Sequence, residues 1–235
     1  MKLKDIITQL EYGELGKINL GANRKEGVSS YNYPEIISAI NLGLIDLYAR
    51  FDLKSRYTYL KQENHITFYE LDRKYAETNT TSTETYKYIK DTVENPFTGS
   101  ILKILGIFNE SGIEYRLNDN TDPASYYTPT LTTIQIPVPD ASKTVCITYV
   151  AAPETLEITG DTVLEQEVYL PILLLKSLLM FVTSRIVANL PMLEANSKSA
   201  EFYNKYLAAI TEAENFGVRV SDNTKNTKLE FNGWA

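Results

Sequence analysis

The sequence predicts an α+β protein: a helical bundle domain formed by N- and C-terminal helices, an inserted antiparallel β domain (sandwich or barrel), and an extended C-terminal tail. Three observations predict it. Apolar residues recur at three-and-four spacing near both ends of the chain, and between about Tyr57 and Ala151 the period shortens to two. The last stretch, "VRVSDNTKNTKLEFNGWA", stays polar until Phe231 and Trp234. The expected boundaries are 1–55 with 160–217 for the helical domain, 56–159 for the β domain with an exposed excursion at 72–96, and 218–235 for the tail.

A short helix is expected over Leu3–Leu10, followed by a glycine-bearing loop, "EYGELGKINLGANRKEGVSS". The first strong signal runs from Pro34 to Asp52. There Ile36, Ile37, Ile40, Leu44, Leu47, Tyr48 and Phe51 share one helix face. Pro34 suits the first turn, where a missing N–H costs nothing.

The segments "RYTYLKQ" and "HITFYEL" alternate and favour aromatic or β-branched residues, as half-buried strands do. "SILKILGIFNESGIEYRL" reads as two strands that reverse at Asn109–Gly112, and "LTTIQIPV" and "KTVCITYVA" bring the count to six. Between Asp72 and Pro96 no apolar face is sustained, which predicts an exposed excursion with one short helical turn.

Helical periodicity returns with "LPILLLKSLLMFVTSRIVANLP", bounded by Pro171 and Pro191. This is the most apolar stretch in the chain and has the length of a membrane span. Lys176 and Arg185 inside it would each cost a few kcal/mol in a bilayer, so the sequence predicts a buried soluble helix instead. A helix apolar nearly all round needs cover nearly all round. With so few helices in the chain, neighbouring subunits are the expected supplement, and Arg185 becomes a buried or interfacial charge. Snorkelling of Arg185 to the surface is the alternative. The last helix is expected to carry a stripe of Phe202, Tyr203, Tyr206, Leu207, Ile210, Ala213 and Phe216, and to end at a Gly217 cap.

Composition narrows the function classes. A net charge of −7 argues against a protein that grips nucleic acid through its phosphates. Seventeen tyrosines against one tryptophan suit strands and half-wet contact surfaces. The start reads as neither signal nor transit peptide. One cysteine, Cys146, excludes an internal disulfide framework and fits a reducing compartment.

No catalytic signature is legible, and no enzyme activity, cofactor or metal is expected. His65 is the sole histidine and has no serine or cysteine motif attached. Cys146 alternates as a buried strand residue would. "NDNTD", Asn118–Asp122, lacks the glycine and terminal glutamate of a calcium loop and reads as a turn. Gly13, Gly16 and Gly21 match no phosphate-binding fingerprint. Asp161 and Glu165 have nothing to place a substrate between them.

The layout resembles the head-to-tail connector (adaptor, ring) proteins of short-tailed bacteriophages, those of crAss-like phages above all. The stretches that carry the likeness are "YPEIISAINLGLIDLYARFDL" with "YTYLKQ", and "LPILLLKSLLMFVTSRIVANLPMLEANSKSAEFYNKYLAAI". The resemblance covers about half the chain and is a pattern of elements without a signature motif. It implies a virion protein made in the host bacterial cytoplasm and placed at the head-to-tail interface. Its expected form is a homo-oligomeric, dodecameric ring below the portal protein that continues the DNA channel. DNA would only pass through, the next tail or ring protein would sit below, and no membrane is involved.

Under this reading Leu178, Phe181, Arg185, Tyr203 and Tyr206 are the expected subunit-packing residues. Leu229, Phe231 and Trp234 of the tail are expected to dock on the portal. A monomeric, tyrosine-rich β module that binds carbohydrate or peptide is the competing reading.

Overall fold

A computed structural model describes residues 1–16, 28, 30–160, 162–190 and 194–217. The chain is α+β, with four α-helices and two small antiparallel sheets among the described residues, and no barrel closes. It divides into two compact units, Met1–Leu53 with Pro153–Ala235, and Lys54–Ala152. The return crossing lies at Pro153 and not at the expected 160. Leu156 belongs to the helical unit: the Asn41 side-chain amide accepts its N–H at 2.9 Å and donates to its carbonyl at 3.1 Å.

In the helical unit, α1 (Leu3–Tyr12) buries Leu3, Ile6, Ile7 and Leu10, the face its spacing dictates. The residues before it are tied down by backbone bonds, Leu3 N–H to the Gln166 carbonyl and Val168 N–H to the Met1 carbonyl. Helix α2 (Tyr33–Phe51) has its proline in the first turn and stops where Asp52 takes a left-handed conformation, φ 51°.

Helix α3 (Ile172–Ala188) starts directly after Pro171 and ends three residues before Pro191, which lies outside the described residues. It is therefore about 25 Å long. Helix α4 (Ala195–Asn215) ends as expected, with Gly217 at φ +75° and its N–H on the Glu214 carbonyl.

The pairing of helices follows from particular contacts. Asn189 donates to Glu35 at one end of α3, and Leu178 and Phe181 meet Gly43 near its middle, so α2 and α3 run antiparallel. A Cβ on Gly43 would stand 2.7 Å from Leu178 Cδ1 and 2.9 Å from Phe181 Cδ1. Any larger residue there would force the Leu178 and Phe181 side chains to shift. Lys176 pairs with Glu212 and Ser199 donates to the Ser184 carbonyl, which sets α3 and α4 antiparallel as well.

The β unit holds a four-stranded sheet in the order β3-β1-β7-β4 and a three-stranded sheet in the order β2-β6-β5. The strands are β1 (Ser55–Lys61), β2 (Phe68–Glu70), β3 (Ile89–Lys90), β4 (Ile101–Phe108), β5 (Tyr127–Thr130), β6 (Thr133–Gln135) and β7 (Thr144–Ala151). Both sheets contribute to one core, Leu60, Ile107, Val145 and Ile147 from the first, Tyr69 and Ile134 from the second. The Asn109–Gly112 reversal is present, with Gly112 at φ +78° and its N–H on the Asn109 carbonyl. The strand expected after it is reduced to two isolated bridges, Phe108 to Glu114 and Leu117 to Tyr126.

The 72–96 excursion is only partly exposed, which corrects the expectation. Ala76, Tyr88 and Ile89 belong to the core, and β3 adds an edge to β1. The Tyr88 hydroxyl accepts the Glu70 N–H and donates to the Glu70 carbonyl, so a phenol closes the free edge of β2.

Candidate interaction surfaces

Helix α3 tests the sequence reading most directly. Its own chain covers it on most sides: Leu174, Ser177, Leu178, Met180, Phe181, Val182, Thr183, Ser184, Ile186 and Val187 are all buried. Leu178 and Phe181 pack on Gly43, and the Phe181 ring meets Tyr206 edge-on at 5.2 Å. Tyr206 is fully buried and donates its hydroxyl to Asp46. Burial, reinforced by the Asp46 carboxylate, pushes the Tyr206 phenol up.

Leu178, Phe181 and Tyr206 are thus interior residues of one chain and not subunit contacts, because α2 and α4 already flank α3. Arg185 also departs from the expectation of a buried charge. It is exposed, and its guanidinium lies over the Phe181 ring at 5.5 Å, one turn back. Of the five expected packing residues, Tyr203 and Arg185 remain at the surface, Tyr203 at 42 % exposure. Leu229, Phe231 and Trp234 lie outside the described residues.

The exposed aliphatic side chains sit elsewhere. On α2, Leu42 (50 %) and Ile45 (43 %) project to the side away from Ile40, Leu44 and Leu47. At the start of α3, Ile172 (79 %) and Leu173 (55 %) stand in solvent, as does Leu207 on α4. The sequence held the signal for the first pair, since Leu42 and Ile45 fall outside the arc formed by the other apolar residues of α2. Inside α3, Ser177 Oγ is buried and without a hydrogen-bond partner. The neighbouring Thr183 and Ser184 hydroxyls each bond a carbonyl of their own helix.

The β unit presents aromatic surface instead. Tyr57 and Tyr59 project from the outer face of β1, their rings 5.7 Å apart, beside a groove of about 340 Å³ that Arg56 and Asn95 also line. A second groove, of about 540 Å³, lies over the outer face of β2 and is walled by the excursion. His65 is exposed at its margin, its ring 4.6 Å from that of Tyr86.

Cys146 is half-buried on the outer face of β7, opposite Tyr59, while Val145 and Ile147 point inward. This corrects the expectation of a buried strand residue. Partial burial still pushes its thiol up, away from the thiolate that reactivity needs. In Asn118–Asp122, one Asp119 oxygen accepts the Thr121 N–H and hydroxyl and the other meets Arg116, which holds its carboxyl low. That is the hydrogen bonding of an Asx turn.

No helix among the described residues is long and apolar enough to cross a membrane. No protein-family model matches the chain, and no curated protein matches it in sequence.

Proposed function

We propose that the chain is a structural virion protein, a head-to-tail connector of a short-tailed, crAss-like bacteriophage. In this reading it forms an oligomeric ring, dodecameric by resemblance, below the portal and continues the DNA channel to the next tail or ring protein. The observation that carries it is the exposed aliphatic surface of the helical unit, with Leu42 and Ile45 on α2 and Ile172 and Leu173 on α3. Large aliphatic side chains at repeated positions of helix surfaces are suited to cover by another subunit. The charge of −7 suits a conduit through which DNA passes without sticking. The tail residues Leu229, Phe231 and Trp234 supply aromatic and aliphatic anchors for the portal.

The test is direct imaging of the purified protein mixed with the portal protein of the same phage. A ring on the portal is expected, and it should fail to form with the double variant Leu42→Glu and Ile45→Glu while the melting temperature stays unchanged. Removal of Leu229–Ala235 should weaken attachment and leave the fold intact. Absence of any ring or complex with the unaltered protein would reject the reading.

A monomeric β module that binds carbohydrate or peptide is the second reading, favoured by Tyr57 and Tyr59 beside their groove. A monomer that binds glycans and ignores the portal would establish it.

A further inference from the structure

The groove over β2 brings together Phe68, Glu70, Tyr75, Glu84, Tyr86 and Tyr88 around about 540 Å³. Phe68 and Glu70 come from the outer face of a strand whose intervening Tyr69 points into the core. The excursion supplies the facing wall. Tyr75 stacks on Tyr88 at 4.6 Å and 21°, and the two bonds from the Tyr88 hydroxyl to Glu70 fix that ring to the strand. The aromatic wall is therefore built before any ligand arrives.

Four aromatic rings and two carboxylates form an environment that attracts an organic cation, through ring quadrupoles and charge together. The chain itself uses this chemistry beside the groove. Lys74 Nζ lies 2.8 Å from Glu70 Oε2 and 4.9 Å from the centre of the Tyr75 ring. The other half of the set has no such cation among the described residues. Glu84 is exposed and contributes only its backbone N–H, to Ser82 Oγ; Tyr86 and Phe68 are 46 % and 57 % exposed; and the adjacent Lys87 ammonium is directed to the Asn79 carbonyl.

We infer that this groove receives a lysine or arginine side chain presented by another polypeptide, seated between Phe68 and Tyr86 with Glu84 as its counter-ion. Charge complementarity favours a basic occupant, and a groove of this volume has room for the side chain and its flanking backbone. The inference stands apart from the ring reading, since it concerns the β unit alone.

The experiment is an NMR titration of the intact protein with acetylated, amidated Gly-Arg-Gly and Gly-Lys-Gly. The isosteric neutral tripeptide with citrulline and n-butylammonium serve as comparisons. Saturable shifts at Tyr75, Thr85 and Tyr86 amides are expected below about 20 mM for the basic tripeptides, and at least tenfold weaker ones for citrulline. Glu84→Gln and Tyr86→Leu should each weaken binding about two- to fivefold. Both side chains are exposed, so the fold tolerates these changes, and unchanged shifts outside the groove verify it. No saturable shift, or equal binding of the citrulline peptide, overturns the proposal. Equal affinity for n-butylammonium and Gly-Lys-Gly overturns the polypeptide as occupant, because the backbone would then add nothing.

Discussion

The core of the helical unit is mainly leucine and isoleucine, whereas the core of the β unit mixes aliphatic side chains with buried tyrosines. In the first, the core is lined by Ile36, Ile40, Leu47, Leu174 and Leu178, and the exposed positions include Leu42, Ile45 and Ile172. In the second, Tyr69, Tyr88, Tyr126 and Tyr149 are buried, and Tyr57, Tyr59 and Tyr86 face outward. Aliphatic surface gains only from being dry, so it suits a lasting contact. Tyrosine gains from partial wetting, because its hydroxyl keeps a partner in either state, and it suits contacts that form and release. Each unit also exposes the other kind, Tyr12, Tyr31 and Tyr169 on the helical unit and Ile113, Leu131 and Val138 on the β unit, so the contrast lies in the buried tyrosines, four in the β unit and two in the helical unit among the described residues.

Raising the pH should break the contrast most strongly. Burial holds Tyr69, Tyr88, Tyr126 and Tyr149 protonated in the β unit, and Tyr48 and Tyr206 in the helical unit. Unfolding would release each phenol to its ordinary value of about 10. Above that pH the unfolded chain binds fewer protons than the native one. Stability is then intact below about pH 10 and falls as pH rises, by up to about 1.4 kcal/mol per pH unit for each such tyrosine. Hydrogen exchange between pH 9 and 11 should show the β unit opening first, and a helical unit that opens first would remove the distinction.

Leu178→Ala should destabilise the protein by about 3 kcal/mol, the cost of a cavity beside Gly43 in a fully buried site. Urea unfolding measures it, and a loss under about 1 kcal/mol would mean that α3 is loosely packed. Ser177→Ala should stabilise the helical unit by about 1 kcal/mol, since it removes a buried hydroxyl that has no partner. A decrease in melting temperature would place an acceptor or a water at that hydroxyl. Arg185→Glu should change the stability of the isolated chain by no more than about 0.5 kcal/mol, because the residue is exposed. A large loss would return Arg185 to the core; a normal fold with failed assembly would place it between subunits.

Long elements with an unbroken period were legible in the sequence. The residues of α2, α4, β1 and β7 repeat often enough for their spacing to be read, and Gly217 and Gly112 marked an end and a turn. Strands β3 and β5 are too short to show a period, and Pro129 within β5 points away from a strand. The cover of α3 was hidden for another reason. Apolar content says that Leu178 and Phe181 must be buried, but not which chain buries them; Gly43 decides it, and its role appears only when two helices are set side by side. The groove over β2 was likewise unreadable. Tyr86 and Glu84 lie in a stretch with no periodicity, and only the fold brings them opposite Phe68.

The hydrogen bond from the Ala151 N–H to the Lys54 carbonyl, 2.8 Å long, joins the entrance and the exit of the β unit. It bears on the order in which the polypeptide assembles. For the helical unit, meeting its own returning segment means closing a loop of 99 residues, Lys54 to Ala152, which costs about 4 kcal/mol in chain entropy from length alone. A β unit that folds first reduces that excursion to a hairpin-sized gap. From the viewpoint of the helices, the whole inserted region then behaves as a short connection, and α2 and α3 meet as if they were neighbours in sequence.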